Sequence, residues 1–247
     1  MRIGPIQSLW IGDELSDLEV LCINSFLKNG YDFHLYTYGT IKNAPKDCVI
    51  LDGNEFLEES EVFSYKVGVG KGSFSAFSNL FRYKMLYDIG GIWCDTDVIN
   101  LNPIPNMEYL FASEKDGDEI VCASCFIKAP KGSAFAKYCY DKASSVDREK
   151  LEWGQIGPKL VGEAVKTYGL SDFIVPFKKF NHVPWYSAEL FFYDDPENMG
   201  EMLYESIASE AYCIHMWNEV WRRLGLDKSA EFPKGCFYEV LKSKIKV

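Results

Sequence analysis

Two aspartates one residue apart, Asp95 and Asp97 with Thr96 between them, follow the apolar run Ile92-Trp93-Cys94. Carboxylates this close repel one another, and a divalent cation relieves that cost. Oxygen donors suit Mg2+ or Mn2+, ions that also bind substrate phosphates. If the strand persists through the motif, its pleat turns both side chains to one face. A solvated acidic turn is the alternative reading of the tripeptide alone. Upstream, Asn79 and Arg82 are three residues apart and share one helical face. Both are therefore candidates to point into the same site. Arg82 has the fork geometry to meet Asp95, Asp97 or a ligand's hydroxyls or phosphate. Its alternative is a buried structural ion pair.

The surrounding pattern supplies elements able to hold these groups. Phe74 to Ile89 predicts a helix with Phe77, Phe81, Met85 and Ile89 as its apolar stripe, ended by Gly90-Gly91. Ile92–Cys94 then reads as a short buried strand, so Asp95 stands at a strand's carboxyl end, where open α/β sheets bind ligands. Residues 6–11 predict a strand ending at Gly12, residues 15–29 a helix stopped by Gly30, and residues 33–38 and 49–51 two further strands. This alternation predicts an α/β layer with a largely parallel sheet. Residues 64–73 hold three glycines and Lys71 but neither the dinucleotide nor the P-loop pattern, so they read as a loop beside the site.

Composition narrows the function classes. The 247 residues are 47% hydrophobic and 25% charged, an ordinary globular balance with no repeat or low-complexity tract. A net charge of −10 and the absence of a basic stripe argue against a nucleic-acid partner. Lys242, Lys244 and Lys246 read as a solvated chain end, allowing at most peripheral membrane contact. Met1-Arg2-Ile3-Gly4-Pro5 has no signal-like apolar region and no run is long enough to span a bilayer, so a cytoplasmic setting with reduced thiols is expected. Cys122-Ala-Ser-Cys125 has redox spacing but sits in a strand-like run, where buried thiols are the better reading.

The segment from Phe77 to Val98, with Ser78-Asn79, Arg82, Gly90-Gly91 and Asp95-Thr96-Asp97, resembles the central signature of glycosyltransferase family 32. That family includes fungal α-1,6-mannosyltransferases and bacterial capsule enzymes; related signatures occur in α-1,4-galactosyltransferases and glucosylating clostridial toxins. The usual pattern has Ser-Asp where this chain has Ser78-Asn79, and the resemblance implies that this position contacts donor-sugar hydroxyls. Residues 8–12 resemble the family's first strand, which implies that Trp10 stacks on the uracil of the donor. Residues 211–223 resemble the C-terminal segment that closes over the diphosphate. There the resemblance implies a third metal ligand, for which His215 is the candidate, with Asn218, Trp221 and Arg222 as candidates for donor closure. Trp153-Gly-Gln-Ile-Gly-Pro158 resembles a turn near the acceptor, making Gln155 a candidate to present its amide to the sugars; a purely conformational Gly-Pro turn is the alternative.

The resemblance implies a single GT-A type, Rossmann-like domain over residues 1–247. Residues 1–102 are its nucleotide-sugar half, 103–210 its acceptor half, and 211–247 the segment closing the donor site. It also implies a retaining hexosyl transfer from a nucleotide sugar, expected to be a UDP-sugar, to a glycan or glycolipid acceptor in polysaccharide or glycoconjugate synthesis. Mn2+ or Mg2+, held by Asp95, Asp97 and His215, would neutralise the leaving diphosphate. Two rivals stand beside this reading. One is a haloacid-dehalogenase-type phosphatase, with Asp194-Asp195 as its downstream acidic pair; the other is a non-catalytic sugar-binding module.

Overall fold

The structure, a computed structural model, describes residues 3–193 and 199–245. It opens with β1 (Ile6–Trp10), α1 (Asp17–Lys28), β2 (Phe33–Thr37) and β3 (Val49–Asp52). An irregular segment leads into α2 (Ser75–Asp88) and β4 (Gly91–Cys94). Next come β5 (Val98–Asn100), β6 (Leu110–Asp116), β7 (Glu119–Ala129), α3 (Ala134–Ser144) and α4 (Pro158–Thr167). The last elements are α5 (Met199–Ala208), β8 (Cys213–His215), α6 (Asn218–Leu224) and α7 (Phe237–Ile245).

The main sheet has six strands in the order β3-β2-β1-β4-β7-β6, and β5 and β8 form a separate two-stranded sheet. The parallel layer expected from the alternating pattern is the half β3-β2-β1-β4. β7 runs antiparallel to β4, and β6 antiparallel to β7, because only Gly117-Asp118 separates them and so short a turn can only reverse the chain. β1 lies between β2 and β4, so the chain builds outward on one side of β1 and then crosses back to the other. That reversal opens a crevice at the carboxyl ends of β1 and β4. Trp10 and Asp95 stand at those ends.

Local chemistry accounts for the elements that frame the crevice. α1 begins where the Glu19 carboxylate reaches back to accept the Ser16 N–H at 3.0 Å, and its face of Leu18, Leu21, Cys22, Ser25 and Phe26 is buried. In α2, Phe77, Phe81 and Met85 are fully buried, as the stripe predicts. Ile89 departs from that expectation, being 44% exposed, because the chain has already left the helix there. The two helix-covered faces of the sheet enclose separate apolar clusters, one beneath α1 and α7 and the other beneath α2, α3 and α4. All eight cysteines are free, and burial pushes the Cys122 thiol up to about 11, which fits the reading of inert thiols in β7. Lys242 pairs with Glu239 and Lys244 with Glu201, while Lys246 lies outside the described residues. Among the described residues no helix is long and apolar enough to cross a membrane.

The junction between α2 and β4 fixes where Asp95 emerges. Gly90 has φ 70° and Gly91 φ 98°, both in the left-handed region. A Cβ at Gly90 would fall 2.3 Å from the Lys131 nitrogen, and one at Gly91 would fall 2.7 Å from Gln7 Nε2. That buried amide donates to the Gly90 carbonyl at 3.1 Å, tying β1 to the start of β4. Gly90→Ala is therefore expected to lower unfolding free energy by at least about 2 kcal/mol, from the left-handed backbone and the backbone clash together. Chemical denaturation with an unchanged m-value is the check.

Candidate active site

Arg82 comes from the middle of α2, and its side chain is 2% exposed. A buried guanidinium needs acceptors for its whole fork. Arg82 meets Asp95 Oδ1 at 3.0 Å, the Ser124 carbonyl, and Ser78 through both its hydroxyl and its carbonyl, and it lies 4.7 Å over the Trp93 ring. Trp93 then donates its indole N–H to the same Asp95 oxygen at 2.8 Å. Asp95 is thus held on one oxygen by helix and strand together. Burial nevertheless raises its pKa, Arg82 opposing and the neighbouring Asp97 charge adding to the rise.

The strand does not persist through the motif. β4 ends at Cys94, and Asp95-Thr96-Asp97 forms a turn in which Val98 N–H returns to the Asp95 carbonyl at 3.2 Å. The turn, rather than a shared pleat, brings the two carboxylates together. Immediately afterwards β5 pairs with β8, setting Val98 opposite His215. That register carries His215 across the sequence to Asp97, with Nε2 3.2 Å from Asp97 Oδ2. The other ring nitrogen, Nδ1, is 2.9 Å from the side-chain oxygen of the fully buried Asn181, whose amide donates to the Ser113 carbonyl at 2.9 Å. Asn181 therefore fixes a donating Nδ1 and turns Nε2 toward the carboxylates.

Asp97 Oδ2 also accepts the backbone N–H of Asn218 at 2.6 Å, at the first turn of α6. Trp217, just before it, takes a left-handed φ of 57°, uncommon for a bulky residue. Its indole bonds the Val183 carbonyl and its ring lies 4.0 Å from that of His215, which holds the backbone there. Burial alone would raise Asp97, but His215 and the Asn218 N–H outweigh it and hold the carboxyl low. Burial works the other way on His215, and Asp97 outweighs it, keeping the imidazole's pKa well above its usual range. One ligand atom each from Asp95, Asp97 and His215 lies within 4.8 Å of the others. Two carboxylates and an imidazole with an oriented Nε2 suit a divalent cation.

These groups line a cavity of about 1210 Å3 that extends from β1 to the β6–β7 hairpin. Trp10 lies in its wall, half-buried; its N–H bonds the Glu14 carbonyl at 3.0 Å and Lys228 sits 5.3 Å over its ring. Lys228 is anchored in turn on Glu19, which is fully buried and also receives the Asn218 amide at 3.3 Å. Asn79, 5% exposed, lines the cavity with its Oδ1 unsatisfied among the described residues, and the Ser8 hydroxyl is a second buried group there without a partner among them. Arg222 lines the mouth, bonded to Glu219 and to the Val69 carbonyl at 3.0 Å, so α6 is strapped to the loop expected beside the site.

Two candidates are placed differently from the rest. Trp221 borders the cavity but is fully buried, donates to the Met216 carbonyl at 2.8 Å and packs on Phe192 and Tyr238. Gln155 is exposed and outside the cavity lining, its carbonyl spent on the Glu152 N–H at 3.1 Å. Trp153, Gly154, Pro158 and Lys159 are the residues of that stretch which reach the cavity. Asp194 and Asp195 lie outside the described residues. Sequence reasoning did not find Asn181, Glu114 or Lys228. None sits in a motif, and only the histidine count pointed anywhere near Asn181.

The family described as the glycosyltransferase sugar-binding region containing the DXD motif matches residues 16–115. The chain resembles the solved structure of the PaToxG glycosyltransferase at 14% identity and a TM-score of 0.51, over 97% of this chain and 84% of that one. It also resembles a transferase mutant at 12% identity and a TM-score of 0.45, over 69% of this chain and 90% of the other. No curated protein matches the sequence. The matched segment holds Asn79, Arg82, Asp95 and Asp97, and the sheet is that of the GT-A fold. Residues 16–115 of the chain thus match the DXD-motif glycosyltransferase family, on the fold that the structural likeness shows.

Proposed function

We propose that this protein transfers a hexose-type sugar from a nucleotide sugar, a UDP-sugar by preference, to a glycan or glycolipid acceptor, retaining the anomeric configuration. The observation that carries the reading is the convergence of Asp95, Asp97 and His215 in the wall of one large cavity. Asp95, Asp97 and His215 would hold Mn2+ or Mg2+, and the ion would supply positive charge to the two phosphates as they leave.

The chain's own residues have separable tasks in this reading. Trp10 offers an aromatic face to the base at the end of β1, with Lys228 beside it adding a cation near the donor. Asn79 offers a buried amide whose oxygen has no partner among the described residues, suited to a hydroxyl of the transferred sugar. Arg82 is a positioning residue: its fork is filled by protein acceptors, and it sets the Asp95 carboxylate. Asn181 orients His215 in the same sense. Arg222 and the Asn218 N–H draw α6 over the cavity, which excludes water from the reacting bond.

UDP release from a UDP-sugar in the presence of Mn2+, followed by a coupled assay, tests the reading. Asp97→Ala should reduce it by about 100-fold or more while the protein stays folded. Binding of GDP-sugars alone would remove the role given to Trp10, and release of phosphate from monoesters in place of UDP would favour the phosphatase. Asn181→Ala should weaken the Mn2+ requirement curve by about 10–100-fold, read from the metal dependence of thermal stability as well as of activity. Arg82→Leu leaves Asp95 without its countercharge and should cost about 2–3 kcal/mol, the lower part of the range because Asp95 is partly exposed. Melting with and without Mn2+ checks this; the metal should recover part of the loss.

A further inference from the structure

The cavity continues past the carboxylate cluster to a wall built by β6, β7 and the turn carrying Trp185. Glu114 stands in that wall, half-buried, and its side chain has no hydrogen bond or ion pair among the described residues. Burial pushes its carboxyl up to about 7, and the charges it feels are those of His215, Asp116 and Asp95, so it lies within electrostatic reach of the metal-ligand cluster. A carboxylate partly withdrawn from water and without donors is costly, and when ionised it can only accept hydrogen bonds. Asn79 is a second unsatisfied group in the same cavity, 95% buried with Oδ1 unpartnered.

The same cavity carries exposed apolar groups. Trp185 is 40% exposed and Ile120 52% exposed, and both line the cavity. An aromatic face and an unpaired hydrogen-bond acceptor in one cavity match a sugar ring, which has an apolar C–H face and a rim of hydroxyl donors. We propose, on the basis of the transferase reading, that Glu114, Trp185 and Ile120 form the acceptor subsite. It takes a neutral sugar ring, with Glu114 accepting hydrogen bonds from its hydroxyls.

Charge supports the neutral class. Asp116 joins Glu114 in the wall, and the cations of the lining are mostly engaged: Arg222 and Arg223 on Glu219, and Lys228 on Glu19. Lys159 is exposed and has no ion pair among the described residues, a single screened charge against two carboxylates. An acidic sugar placed on this wall would meet like charge at short range.

The test offers p-nitrophenyl glycosides of neutral hexoses and of a hexuronic acid to the full chain with a UDP-sugar and Mn2+. Product glycoside and free sugar are measured together, giving a ratio of transfer to donor hydrolysis. The wild type should glycosylate neutral hexosides in preference to the hexuronide. Glu114→Ala and Trp185→Ala should each lower the transfer-to-hydrolysis ratio about tenfold or more, through a raised acceptor KM. Glu114→Gln, which keeps an acceptor oxygen, should restore part of it. An unchanged ratio in both alanine variants overturns the subsite, as does equal use of the hexuronide. Normal hydrolysis with no member of the panel glycosylated overturns the neutral-sugar assignment. Absence of any UDP release from the wild type is a different failure: it removes the transferase reading and the subsite with it.

Discussion

Two carboxylates held within a few ångströms of each other, and largely away from water, repel unless something positive stands between or beside them. Asp95 and Asp97 are in this position, and much of the surrounding architecture answers that constraint. Arg82 neutralises one from α2, and His215 faces the other from β8. The partners arrive from opposite sides, one through the core beneath α2 and one through the two-stranded sheet. The face of the pair between them opens to the cavity, where a cation and its phosphates would complete the charge balance.

The same requirement explains why the C-terminal part of the chain returns to the motif. β8 places His215, Trp217 turns the chain in a left-handed conformation, and the first N–H of α6 reaches Asp97. These three features occur within four residues, so any movement of α6 would be felt at Asp97. Arg222 then continues the contact across the mouth to the Val69 carbonyl. The imidazole and α6 are therefore mechanically linked, because one carboxylate serves both.

Arg82 shows how burial changes a residue's task. From sequence, its fork was equally suited to a phosphate and to a carboxylate. Once all three of its nitrogens are engaged by Asp95, Ser124 and Ser78, it acts through the group it positions. Trp221 and Gln155 make the complementary point. Both lie in stretches that resemble functional segments, yet one is turned into the aromatic core by the helix period and the other is turned outward by its own turn.

The sequence by itself determined the parallel half of the sheet, the helix leading to Gly90-Gly91, and the strand end carrying Asp95 and Asp97. These are local properties: hydrophobic periods, a backbone position that only glycine tolerates, and two charges that cannot enter a core unpaired. It also singled out His215, with the help of a family likeness. Only the tertiary structure decided that a turn, not a pleat, joins the two aspartates, and that Asn181 orients the histidine. It alone brought Glu114 and Trp185 into the same cavity as the motif. Strand register and side-chain burial set those placements, and both depend on contacts between residues far apart in the chain, which no local pattern encodes.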